Sequence, residues 1–173
     1  MRVSIEAASE RRSDEWLSAA RRSSGLHSPW VTAPQTRTAL RDTLKRLEQS
    51  QYLSYFVISP ENELAGVINA NEIVRGAFQS AYLGYYALLP HARQGYMTEG
   101  LALVLTELFR SHRLHRVEAN IQPGNLRSLA LVRRLGFRFE GVAKRYLKIR
   151  GRWRDHQHWA LLAEEWRPGR LVF

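Results

Sequence analysis

The chain has 173 residues, enough for one domain with a single substantial core, and residues 1–173 are expected to form one such domain. It holds no cysteine, which excludes disulfides, thiolate metal sites and cysteine nucleophiles. Lys and Arg number 26 against 16 Asp and Glu, a net charge of +10 that suits a polyanionic neighbour such as RNA, a nucleotide or anionic lipid, although an arginine-rich composition alone gives the same excess.

The opening residues, Met1-Arg2-Val3-Ser4-Ile5-Glu6, contain no apolar run, and no stretch approaches membrane-spanning length. A cytoplasmic enzyme or binding protein with no membrane partner is expected. In chain order, residues 3–7 read as a strand, and Ser13-Asp14-Glu15 supply cap-type residues for a helix through residue 22. Residues 23–29 read as a loop, with Trp30 beyond it. The spacing of Leu40, Leu44 and Leu47 predicts an amphipathic helix over residues 36–50. Strands follow over residues 52–58 and 64–73, joined by a turn at 59–63, and Arg75-Gly76 turns the chain into a strand over 79–89.

That strand runs straight into a turn carrying Gly95 and then a helix from residue 96 to about 112, with Leu101, Val104, Leu105, Leu108 and Phe109 on one face. A strand feeding a helix N-terminus aims unpaired N–H groups and the positive end of the dipole at one point, which suits phosphate. A glycine there lets a pyrophosphate come close to the backbone, and it equally serves plain turn chemistry. Neither G-x-G-x-x-G nor G-K-[ST] is present. A strand over 116–121, a break at Pro123-Gly124, a helix over 125–135 closed by Gly136, and strands over 137–146, 147–149 and 153–162 around an Arg150-Gly151 turn complete the chain. The fold class is α/β or α+β around one mixed sheet.

Ala92-Arg93-Gln94-Gly95-Tyr96-Met97 resembles the acetyl-CoA loop of the GNAT acetyltransferases, Q/R-x-x-G-x-G/A, with Ala92 and Met97 departing from the usual residues. The stretch from Asn125 through Ser128 and Leu131 to Leu135-Gly136-Phe137 resembles the other GNAT signature, N-x-x-[SA]-x-x-[LV]-x-x-x-L-G-F. Tyr82-Leu83-Gly84-Tyr85, Lys144-Arg145-Tyr146 and Gly151-Arg152-Trp153-Arg154-Asp155-His156 are similar to the Rim-type branch, which acetylates N-termini of ribosomal proteins. The resemblance covers roughly residues 64–170. It implies a central mixed, mostly antiparallel sheet splayed in the middle and flanked by helices, with Gly84 as a bulge position.

By that resemblance, acetyl-CoA is the co-substrate; one paired His spacing, with no Cys and no clustered carboxylates, predicts no metal. Gln94, Gly95, Tyr96, Met97 and Thr98 are expected to present N–H groups to the pyrophosphate, with Arg93 adding charge, and a backbone N–H near Leu88 to hold the thioester carbonyl. Asn125 is expected to bond the pantetheine arm, and also reads as the N-cap of its helix. Many relatives carry a Tyr acid seven residues after that Asn, where this chain has Val132; Ser128 takes the role in the Rim-type branch, and also reads as a helix-start residue. Glu99 and Glu118 are the expected base residues flanking the groove, with Glu72 on the far side and Asp155-His156 as the other candidate. Glu99 also reads as a charge compensating the helix dipole, and His156 and His158 as structural.

The acceptor expected first is a protein N-terminus, whose α-amine has a pKa near 8 and needs only a weak base or a water chain. A small amine, such as an aminoacyl or antibiotic compound, is the second reading, and a non-catalytic basic protein binding RNA or the ribosome the third. A monomer or a homodimer fits equally, and Trp16, Trp30 and Phe78 could line a pocket or fill core.

Overall fold

The computed structural model describes residues 1–168. The end of the expected domain, and of the resemblance out to residue 170, lies outside the described residues. Seven strands form one sheet: β1 (Ser4–Ala7), β2 (Leu53–Ile58), β3 (Leu64–Val74), β4 (Ser80–Ala87), β5 (Arg116–Ile121), β6 (Arg138–Ile149) and β7 (Arg152–Leu162). Their order across the sheet is β1-β2-β3-β4-β5-β7-β6. Only β4 and β5 run parallel; every other neighbouring pair is antiparallel.

Helices cover both faces, and the strand sequences show why. In β2, Tyr55 and Val57 enter one core while Phe56 and Ile58 enter the other, so the apolar run reflects burial on two sides. The first core takes the apolar face of α4 (Tyr96–Arg110) and Leu129 and Val132 of α5 (Leu126–Arg134). The second takes Trp16, Leu17 and Ala20 of α1 (Ser13–Arg22) and Leu40 of α3 (Arg37–Arg46). Thr36 caps α3 by accepting from the Ala39 N–H at 3.1 Å. Gly136 closes α5 at φ 87°, as expected. No helix among the described residues is long and apolar enough to cross a membrane.

Several expectations are corrected. Residues 23–29 are not a plain loop: Ser24–His27 form a short helix, α2. Ser13 begins α1 without capping it, because its hydroxyl is buried with no partner. The two pieces expected over 137–149 are one strand with a bulge between Ala143 and Leu147. Gly84 is not a bulge: it pairs with Asn69 in regular register, and the irregularity in β3 lies between Asn71 and Val74, where Glu72 has φ 50°.

What does happen beside Gly84 is more consequential. The pairing of β4 with β5 ends at Leu83 opposite Ala119. Beyond it β4 runs on to Ala87 and β5 to Ile121 without a ladder between them. The sheet is split at its centre.

Candidate active site

A cavity of about 550 Å³ occupies the split. Its walls include Tyr85, Tyr86 and Ala87 of β4, Ala119, Asn120 and Ile121 of β5, and residues from the glycine loop, α2, α5 and β7. The volume lies within the range of small-molecule and cofactor sites.

The glycine loop forms one end. Gly95 is the N-cap of α4 at φ 83°, a conformation that a Cβ disfavours. The N–H groups of Gln94, Gly95, Tyr96 and Met97 have no acceptor among the described residues, so four donors remain available at the positive end of a fifteen-residue helix. Thr98 does not belong with them. Its N–H donates to the Gly95 carbonyl at 2.9 Å, tightening the first turn, and Thr98 contributes only as a cavity wall. Met97, unexpected for a position where Gly or Ala is usual, fits because β3 leaves room. A Cβ on Gly66 would stand 2.2 Å from the Met97 sulfur.

The Leu88 assignment is also corrected. Its N–H donates to the Ala65 carbonyl at 2.8 Å and its side chain is wholly buried. Main-chain groups alternate in direction along an antiparallel strand, so the N–H and C=O of Ala87 face away from β3, toward the split. The Ala87 carbonyl is already taken by the Nε2–H of His27 at 2.8 Å, which leaves the Ala87 N–H as the donor aimed at the gap. The general location was legible in the sequence; the parity was not.

On the α5 side, Asn125 caps the helix through Oδ1, which accepts from the Ser128 N–H at 3.3 Å. Its Nδ2 has no protein partner among the described residues, and the residue lines the cavity. The hydroxyls of Ser128 and Tyr85 lie 2.6 Å apart. Burial pushes the Tyr85 hydroxyl up to about 12, with the Ser128 bond acting in the opposite direction. Sequence reasoning missed this tyrosine. Its place in β4 two residues from Leu83, on the core-facing side, was the available signal, because a phenol directed inward must find a partner.

Neither expected carboxylate reaches the cavity. Glu99 accepts from the Arg2 backbone N–H and from its guanidinium at 2.6 and 2.8 Å. Partial burial acts to raise the Glu99 carboxyl, and the Arg2 bonds overcome it, so the group titrates below its ordinary range. Arg2 also donates to the Gln94 carbonyl at 2.8 Å and lies 4.9 Å over the Tyr96 ring, strapping the chain start to the loop. Glu118 is bonded to Arg116 at 2.7 Å, and Glu72 accepts from the Tyr52 hydroxyl. The basic side chains that do line the cavity are Arg93, Arg127 and Arg134, with the imidazoles of His27, His91 and His156; among the described residues no Asp or Glu does. Of the three aromatics left open, Trp16 is core, bonded to the Tyr86 hydroxyl; Trp30 lines the cavity; Phe78 is exposed.

Residues 3–138 match a family model described as the acetyltransferase (GNAT) domain. The chain belongs to the GNAT acetyltransferases. Among relatives, a probable N-acetyltransferase, YjcK of Bacillus subtilis, is 34% identical over 134 residues, 77% of this chain and 74% of that one. The [ribosomal protein uS5]-alanine N-acetyltransferase of Escherichia coli is 44% identical over 110 residues, 64% of this chain; that match spans only 57% of the E. coli enzyme. Among solved structures, RimJ of Mycobacterium smegmatis in complex with CoA-disulfide superposes with a TM-score of 0.87 at 28% identity, covering 94% of this chain and 83% of that one.

This GNAT enzyme is an acyltransferase that carries out acetyl transfer. Its chemistry asks for three things: a polarised thioester carbonyl, an acceptor amine freed of its proton, and a proton for the departing sulfur. The split offers a group for the first in the Ala87 N–H and for the third in the Ser128 hydroxyl. The cradle at Gly95, its four unpaired N–H groups and the nearby arginines suit a pyrophosphate.

Proposed function

We propose that the enzyme transfers an acetyl group from acetyl-CoA to the α-amine of a protein N-terminus, by direct attack within a ternary complex. Gln94, Gly95, Tyr96 and Met97 hold the pyrophosphate through their N–H groups, Arg93 adds charge, and the free amide nitrogen of Asn125 bonds the pantetheine arm. The Ala87 N–H takes the thioester carbonyl, with its donor direction fixed because His27 holds the same residue's carbonyl. Ser128 is the general acid. For its own proton to face the sulfur, its oxygen must accept from Tyr85, which stays protonated at neutral pH because burial holds its hydroxyl near 12.

The observation that carries the choice of acceptor is the absence of any carboxylate from the cavity wall among the described residues. A lysine or a polyamine enters as a cation with a pKa above 10 and requires acidic groups to hold and deprotonate it. An α-amine near pKa 8 is neutral often enough to enter a basic cleft. The E. coli relative, which acts on the alanine of ribosomal protein uS5, supports the same choice. Lys144, Arg145, Lys148, Arg150, Arg152 and Arg154 cluster at the tip of the β6–β7 hairpin around an exposed Trp153, which supports an acceptor presented on an RNA-bearing assembly.

The test is thiol release from acetyl-CoA, followed by peptide mass spectrometry. The panel holds Ala-, Ser- and Met-starting peptides, N-blocked peptides containing lysine, and small amines. Acetylation of free N-termini alone is expected. Turnover confined to small amines overturns the acceptor, and absence of both turnover and acetyl-CoA binding overturns the whole assignment.

A further inference from the structure

We propose that His156 is the general base of this transfer, receiving the acceptor's proton at Nε2. The proposal rests on the acetyl-transfer reading above and adds to it the residue that takes the amine's proton. His156 is 3% exposed on β7, yet it forms part of the cavity wall. Its Nδ1 lies 3.0 Å from the Arg154 carbonyl, and a carbonyl only accepts, so Nδ1 carries the proton and Nε2 the lone pair. Nε2 has no protein partner among the described residues.

The two other histidines of the wall are differently engaged. His27 has the opposite tautomer: Nε2–H is spent on Ala87, and Nδ1 is buried with no partner. His91 sits in the glycine loop, its Nε2 2.8 Å from a Glu63 carboxylate oxygen and its ring 6.0 Å from Tyr96.

Register places His156 on the correct side of the sheet. Asn120 pairs directly with His158, so the two share a face, and His156, two residues along β7, shares it too. Tyr85 pairs with Ile68 and packs against the core under α4 and α5, the opposite face. The base and the Ser128 acid therefore approach the split from opposite sides of the sheet.

The proton and electron count closes. The neutral acceptor's lone pair forms the C–N bond as the C–S bond breaks, and the proton that nitrogen then sheds goes to Nε2. The departing electron pair stays on sulfur, which takes the Ser128 hydroxyl proton. The single proton on His156 returns to solvent, and solvent restores the Ser128 hydroxyl.

The groups around the ring are Arg154, Asp155 and His158 on its own strand and Tyr146 of β6, at 6.1 Å between ring centroids. Across the cavity stand His27, His91, Arg93, Arg127 and Arg134. Burial lowers the His156 pKa and His158 acts in the same direction, while the Arg154 carbonyl and Asp155 oppose them, so the ring is neutral at neutral pH.

The experiment compares wild type with His156→Asn, whose amide occupies the place of Nδ1 and can still donate to the Arg154 carbonyl. With an Ala-starting peptide, kcat is expected to fall about 100-fold or more while the Kd for acetyl-CoA stays within about threefold. The wild-type kcat/KM profile is expected to show an acidic limb below about pH 6.5 that the variant lacks. A variant that keeps wild-type kcat and that limb overturns the assignment. If the variant does not fold, the wild-type profile decides alone: a single limb at the amine's own pKa near 8 overturns it. A wild type inactive on every amine overturns instead the parent reading.

Discussion

Replacing Tyr85 by Phe tests whether the phenol acts through Ser128. The two hydroxyls are 2.6 Å apart in the cavity wall, and burial holds the phenol near 12. Deleting it removes one hydrogen bond, about 1 kcal/mol net, and lets the serine hydroxyl rotate away from the sulfur. A loss of about 1 kcal/mol in the transition state is roughly fivefold in kcat. Deleting the serine oxygen in Ser128→Ala removes the acid itself, about 100-fold or more. Independent effects would multiply to about 500-fold in the double variant. A tyrosine that only positions the serine predicts otherwise: Tyr85→Phe slows the Ser128→Ala enzyme by less than about 1.5-fold, a coupling of about 1 kcal/mol. Thiol release at saturating acetyl-CoA and peptide measures kcat, and melting of all four proteins guards against unfolding, a cost of about 1 kcal/mol being worth about 3 °C at this size. An undiminished fivefold effect in the Ser128→Ala background would refute the relay, and an unaltered kcat in Ser128→Ala would remove the acid assignment altogether.

Gly95→Ala places a Cβ at φ 83° and 3.1 Å from the Arg2 guanidinium; a strain of about 1–2 kcal/mol at the phosphate end predicts an acetyl-CoA KM raised about tenfold with kcat little changed, read from initial rates. Glu99→Gln is expected to leave kcat within about twofold, since the carboxylate is tied to Arg2 outside the cavity. Its pKa is lowered on folding, so the stability it contributes is present above the ordinary carboxylate range near 4.3 and is lost as pH falls through the lowered value; the gap in melting temperature between wild type and variant should be full at pH 7 and close toward pH 3, and a gap unchanged at pH 3 contradicts the ion pair. Gly66→Ala sets a Cβ 2.2 Å from the Met97 sulfur and 3.0 Å from the Tyr86 carbonyl, an overpacking worth about 1–3 kcal/mol by denaturant melts, of which adding Met97→Ala should recover part, because the carbonyl cannot move aside.

The elements legible in the sequence are those whose determinants are local. The apolar spacing of Leu101, Val104, Leu105 and Leu108 gave α4 and its buried face, and Asn125 with Gly136 bracketed α5. The errors fall where a partner distant in the chain decides. Glu99 reads as an available carboxylate until Arg2, 97 residues away, is seen bonded to it. Leu88 and Ala87 are equally plausible donors in one dimension, and only the Ala65 bond fixes which of them faces the gap. The Thr98 N–H and the short helix at Ser24–His27 are local misses, since both rest on short-range backbone bonds that no residue type announces.

In the proposed mechanism the free edge of β4 stands in for a tyrosine at position 132, where this chain has Val. An unpaired strand end would ordinarily adapt to whatever lies beside it, and a donor that must polarise a carbonyl works only if its direction is fixed beforehand. Four consecutive residues supply that rigidity in four directions: the Tyr85 hydroxyl meets Ser128, the Tyr86 hydroxyl accepts from the Trp16 indole at 2.9 Å, the Ala87 carbonyl is held by His27, and the Leu88 N–H is held by Ala65. Val132 meanwhile is fully buried and serves the core under α5. In the proposed mechanism the phenol comes from the strand instead of from that helix, with the smaller Ser128 hydroxyl between it and the leaving sulfur. A Val132→Tyr substitution would then gain nothing: its ring has no room in a fully buried position, and the enzyme should lose stability by about 1–3 kcal/mol without gaining rate.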